Sequence, residues 1–118
     1  MNTNLATRIA ALAGFLAVAL GAFGAHGLRA ALEATGRVAN WETAALYHLV
    51  HAAVLLALAL RPAVPRLPFA LFSAGIVLFS GSLYVLALTN AKWLVAVTPI
   101  GGLCLLGGWL TLALKPRG

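Results

Sequence analysis

His48 and His51 stand three residues apart, a spacing that puts both imidazoles on one face of a helix. Two imidazoles so placed can share a metal ion, move a proton, or hold a small ligand by hydrogen bonds. His26 is the only other histidine, and Ser80, Ser82, Tyr84 and Thr98 offer hydroxyl partners. Acid is scarce: Glu33 and Glu42 are the only carboxylates. Glu42 lies about a turn and a half before His48 and points to a different side, so its plainer role is to complement a helix N-terminus. Three histidines without a nearby cysteine or a well-placed carboxylate make a weak ligand set. The set His26, His48 and His51 is therefore an alternative only, and no metal or cofactor is expected. The plainer reading is interhelical hydrogen bonding by neutral imidazoles.

Other chemistry finds little support. There is no Gly-x-Ser-x-Gly elbow, no phosphate-binding Gly-rich loop with Lys-Ser/Thr, and no His-Glu-x-x-His. Ser80-Gly81-Ser82 lies within an apolar stretch, and the lone Cys104 reads as a small buried hydrophobe. An enzyme is not expected, and no residue is singled out as catalytic.

The elements that position these groups must sit in lipid. Of the 118 residues 63% are apolar and 8% charged, against about 45–50% and about 25% in a soluble domain. Ten charged residues cannot clothe a water-soluble surface of this size. About 20 apolar residues cross a hydrocarbon core of about 30 Å, and four stretches qualify: 9–28, 43–60, 68–88 and 93–114. The expected fold is all-α, one domain over 1–118, an antiparallel up-down bundle of four transmembrane helices joined by short links. Gly27 is expected to end the first helix, Asn40 to cap the second, and Pro62, Pro65 and Pro68 to keep the middle link non-helical. Arg8, the apolar run and Ala22-Phe23-Gly24 resemble a secretory signal. The small residues continue throughout the stretch, however, and a retained span is the reading adopted.

The net charge of +6 fits membrane topology rather than nucleic acid. All eight basic residues lie outside or at the ends of the apolar stretches. Arg8, Arg61, Arg66, Lys115 and Arg117 share the side of the two termini, with no acid. Arg29, Arg37 and Lys92 share the other with Glu33 and Glu42. The positive-inside rule places both termini in the cytoplasm, so that His26, His48, His51, Ser82, Tyr84 and Thr98 fall towards the outer half, with Ser80 nearer the middle.

Helix association in lipid depends on close backbone approach and polar bonds. Gly14, Gly21 and Gly24 with Ala10 and Ala17 form a small-residue ridge on the first span, and Gly101 and Gly108 form one on the fourth. Gly81 flanks a stripe of Ser73, Ser80 and Tyr84 on the third. Pro99 is expected to kink the fourth span and to free the carbonyl of Val95. These glycines are read as packing positions, within one chain or between copies.

Four motifs span the chain: Gly21-Ala22-Phe23-Gly24-Ala25-His26-Gly27-Leu28; Trp41-Glu42-Thr43-Ala44 with Tyr47-His48-Leu49-Val50-His51; Leu78-Phe79-Ser80-Gly81-Ser82-Leu83-Tyr84; and Thr98-Pro99-Ile100-Gly101-Gly102 with Gly108-Trp109. Together they resemble the YgdD/YwdK-like family of small bacterial inner-membrane proteins, a family of unknown function to which small mitochondrial transmembrane proteins of animals look related. The resemblance implies four spans in a bacterial cytoplasmic membrane and supplies no catalytic residue. The expectation is a non-enzymatic envelope or membrane-accessory protein. Its partners are the lipid bilayer and either further copies of itself or other membrane proteins. The alternative is a ligand-, metal- or proton-handling protein with a polar pocket of His26, His48, His51, Ser80, Ser82, Tyr84 and Thr98.

Overall fold

The computed structural model describes residues 1–116, so Arg117 lies outside the described residues. Four helices are long and apolar enough to cross a membrane: Thr3–Ala25, Val38–Ala59, Arg66–Thr89 and Lys92–Leu114. At 1.5 Å per residue each is about 33–36 Å long, enough for a core of about 30 Å. The first span is α1 (Thr3–Ala25); a short helix α2 (Arg29–Thr35) leads to the second, α3 (Val38–Ala59). The third joins α4 (Arg66–Gly75), a π-helical turn (Ile76–Ser80) and α5 (Gly81–Thr89). The fourth joins a 3-10 turn (Lys92–Ala96) to α6 (Thr98–Leu114). The chain is an all-α membrane bundle.

Its ends differ from the expected ones for local reasons. α1 begins at Thr3 because the Asn2 side chain accepts from the backbone N–H groups of Asn4 (2.7 Å) and Leu5 (3.4 Å), which satisfies donors a helix start leaves orphaned. It ends at Ala25, with Gly27 just beyond in the turn. Asn40 does not cap the second span: α3 starts at Val38, and Asn40 lies in its first turn, accepting instead from Arg37 (3.4 Å). The link expected at 29–42 holds α2, closed by Gly36 at φ 73°, a left-handed conformation glycine adopts without penalty. Pro99 does not kink a continuous helix. It stands in the first turn of α6, where a proline lacks no bond the helix needs, and a 3-10 turn immediately precedes it.

The helices pack in series. α1 lies on α3, α3 on the third span, and the third span on α6, giving a body 46 × 26 × 17 Å. The α1 seam is made of small residues: Ala6, Ala10, Ala17 and Gly24 are its buried positions. Gly24 is needed because a methyl group there would run into the Trp41 indole. Gly101 sits against the backbone of Leu78 and Phe79, and Gly108 against the Phe72 ring, so the third span and α6 approach closely. Gly14, Gly21 and Gly81 are different: nothing stands where their side chains would be, so they bring no helices together within this chain. Large apolar side chains such as Phe15, Leu103 and Leu106 are exposed all round, as a lipid-facing surface requires.

Candidate polar core and lateral crevice

The sequence-predicted polar residues separate into four groups. His26 caps the end of α1 and is exposed, away from the other two histidines. Among the described residues no three His, Cys, Asp or Glu side chains are grouped to hold a metal ion. His48 and His51 lie ten and thirteen residues into α3, near mid-span rather than in its outer half, because the helix starts at Val38.

His51 is buried and bonded at both nitrogens. Nδ1 lies 2.7 Å from the Tyr47 carbonyl and Nε2 3.1 Å from the Trp109 indole nitrogen. Indole N–H only donates and a carbonyl only accepts, so Nδ1 carries the proton and Nε2 is the acceptor. Phe72 and Trp109 pack edge-on, ring centroids 5.2 Å apart, and His51 lies 5.6 Å from Phe72 and 5.9 Å from Trp109. This cluster ties the second, third and fourth spans together and leaves the imidazole no free position.

The serines are also engaged. Ser80 donates to the Ala44 carbonyl of α3 (2.8 Å). Ser82, two residues on, faces the fourth span: its hydroxyl is 2.6 Å from that of Thr98, and the two also reach the Phe79 (2.9 Å) and Leu94 (3.2 Å) carbonyls. Two hydroxyl protons serve three contacts, so no donor is left over. The π-helical turn at Ile76–Ser80 ends on Ser80 itself and inserts one extra residue ahead of Ser82. Such a turn shifts the face that a helix presents.

His48 has a different environment. Nδ1 lies 2.9 Å from the Tyr84 hydroxyl, and the ring approaches the backbone of Ala13. α1 and the third span both lean on α3 without packing on each other. Between them runs a lateral crevice of about 450 Å³, with His48, Tyr84, Ser73 and Gly81 in its wall. The Ser73 hydroxyl is buried and has no hydrogen-bond partner. Leu12, Leu16 and Val77, all exposed, rim its opening towards lipid.

Several groups at this site were not anticipated. Trp41 is buried beside Tyr84, ring centroids 4.7 Å apart, and donates to the Leu20 carbonyl of α1 (2.8 Å). Trp109 supplies the donor to His51. An indole N–H in an apolar stretch must find an acceptor, and that was the sequence signal for both. At the end away from the termini, Thr35 donates to the Ala87 carbonyl (2.7 Å) and Arg37 to Asn90 (3.1 Å). Arg29 pairs there with Glu33 and Glu42 (3.0 and 3.5 Å).

A model of the family described as "protein of unknown function (DUF423)" matches residues 20–102. A UPF0382 membrane protein of Haemophilus influenzae is 44% identical over 110 residues, covering 89% of this chain and 87% of that protein. The UPF0382 membrane protein YwdK of Bacillus subtilis is 39% identical over 111 residues (88% and 89%). A UPF0382 membrane protein of Schizosaccharomyces pombe is 37% identical over 111 residues (88% and 94%). No solved structure matches the chain.

Proposed function

Since the chain belongs to this DUF423 (UPF0382) family of membrane proteins of uncharacterised function, we propose that it is a non-enzymatic membrane-accessory protein of a bacterial cytoplasmic membrane, with both termini in the cytoplasm. The observation that carries this reading is how the interior polar groups are used. His51, Ser80, Ser82, Thr98 and Trp41 each make hydrogen bonds that join one span to another, and they converge on no common point where a substrate atom would stand. Catalysis needs a base, an acid or a nucleophile aimed at one place. Hydrogen-bonded helix contacts need only satisfied pairs.

The topology rests on charge. Arg8, Arg61, Arg66 and Lys115 lie at the end that carries the termini, and the acids Glu33 and Glu42 at the other. Gly14 and Gly21, open on the α1 surface, supply a face on which another helix can approach, in a second copy or another membrane protein.

The test is the metal and chromophore content of protein purified in mild detergent without a histidine tag. Metal-free, colourless, monodisperse protein supports the accessory reading. Near-stoichiometric metal that is lost in His48→Ala/His51→Ala, or turnover of a substrate, would overturn it.

A further inference from the structure

We propose that the groove between the start of the third span and the end of the fourth holds the headgroup of an anionic phospholipid, with its phosphate between Arg66 and Lys115. The proposal rests on the chain's four membrane-spanning helices. It depends neither on the accessory reading nor on which side of the membrane the termini face.

Two prolines set the position of the first cation. Pro65 and Pro68 are buried on either side of the Arg66-Leu67 step. Proline is accommodated at a helix start and not in its interior, and α4 accordingly begins at Arg66. On the opposite wall α6 ends at Leu114, and Lys115 follows, its backbone N–H donating to the Thr111 carbonyl (2.9 Å). α4 and α6 pack on each other, so Arg66 and Lys115 come to one groove of about 290 Å³, with Leu67, Thr111 and Leu114 in its wall. That volume is at the low end of small-molecule sites, about 300–1,000 Å³. It suits a headgroup whose acyl chains stay in the bilayer.

Charge selects the occupant. Arg66 and Lys115 are exposed, and among the described residues neither side chain makes a hydrogen bond or an ion pair. The two side-chain carboxylates, Glu33 and Glu42, both pair with Arg29 at the far end of the bundle. A third cation, Arg61, donates to the carbonyl of Pro116 (3.0 Å), next in sequence to Lys115. A carbonyl carries no charge, so this bond leaves the guanidinium uncompensated. A basic recess between membrane helices at headgroup level attracts anionic lipid, each Lys or Arg adding to the preference. A guanidinium can grip two phosphate oxygens at once, and an ammonium adds a compact charge beside them. A zwitterionic headgroup would bring its own ammonium into the same cationic recess.

Depth selects a lipid phosphate over a soluble anion. The third and fourth spans have 24 and 23 residues, about 35–36 Å at 1.5 Å per residue. They overhang a core of about 30 Å by about 3 Å at each end, within a headgroup layer about 5–8 Å deep. Arg66 and Lys115, at those ends, lie in that layer. Leu67 and Leu114 are exposed and share the groove, offering the acyl chains an apolar path from the phosphate into the core.

The experiment is a titration of the full chain in a non-ionic detergent with dioleoyl phosphatidylglycerol, read as lipid adducts by native mass spectrometry. One saturable adduct is expected. Dioleoyl phosphatidylcholine, which has the same chains and no net charge, should bind at least about tenfold more weakly. Arg66→Gln and Lys115→Gln should each weaken phosphatidylglycerol binding about fivefold, and together about thirtyfold. Both should melt as wild type does, since neither side chain is bonded within the protein. Arg66→Lys keeps the charge without the fork and should fall between wild type and Arg66→Gln. Lys92→Gln, which removes an exposed cation at the far end, should bind as wild type. Equal binding of phosphatidylcholine, undiminished binding by the double variant, or an equal loss in Lys92→Gln would overturn the proposal. Displacement of the lipid by inorganic phosphate at equal concentration would overturn it too, by showing a site for a soluble anion.

Discussion

Two histidines one helical turn apart have come to opposite conditions. His51 faces α6, with a donor and an acceptor fixed on either side of its ring and two aromatic rings packed against it. His48 lines the gap between α1 and the third span, bonds to Tyr84 and approaches the backbone of Ala13, with no aromatic clamp like that around His51. The difference follows from packing. The third span and α6 are held together closely by Gly101 and Gly108, whereas α1 packs mainly on α3, through small residues. Close approach allows a polar group to be fully satisfied. A helix that leans on one neighbour leaves a wall of another uncovered.

The close-packed side breaks most readily at Gly101, where any side chain meets the backbone of Phe79 rather than a movable side chain. Gly101→Leu is expected to cost about 3 kcal/mol or more and to leave little folded protein by size-exclusion chromatography in detergent. His51→Ala removes the acceptor of the Trp109 N–H and leaves a hole beside Phe72. A loss of about 2 kcal/mol is expected, seen as a lower midpoint in thermal unfolding. His48→Phe keeps the bulk and gives up the bond to Tyr84 and the polar approach to the Ala13 backbone. Its expected cost is about 0.6 kcal/mol for each, near the average for one interhelical bond in a membrane. A cost equal to that of His51→Ala would erase the contrast between the two. Smallest of all is Gly21→Ala. The site is open, so stability should be unchanged or raised by up to about 1 kcal/mol through helix propensity. A clear fall in its melting midpoint in membranes would show that another helix covers this face.

Much of this was legible in the sequence. Apolar length gave the four spans, and three-residue spacing put His48 and His51 on one face. The unequal fates of the glycines were not legible. Gly14, Gly21 and Gly24 share one stripe, yet only Gly24 lies under a tryptophan, because the facing residue is set by how α3 crosses α1. Pro99 looked like a kink because helix continuity is not visible in composition, and the 3-10 turn before it was hidden. The π-helical turn at Ile76–Ser80 was equally invisible, since an extra residue in an apolar run leaves hydropathy unchanged. Asn40 was a reasonable cap by residue type; Thr35 and Arg37, tied to Ala87 and Asn90, fix the entry to α3 earlier.

The division between the two histidines is tested most directly by the nitrogen-15 NMR spectrum of histidine-labelled protein in detergent near neutral pH, compared with that of Trp109→Phe. His51 is expected as a single neutral tautomer protonated at Nδ1, with its Nε2 resonance moving when the indole donor is removed and the His48 resonances staying in place. A His51 protonated at Nε2, or an Nε2 resonance indifferent to Trp109, would contradict the structural role assigned to it.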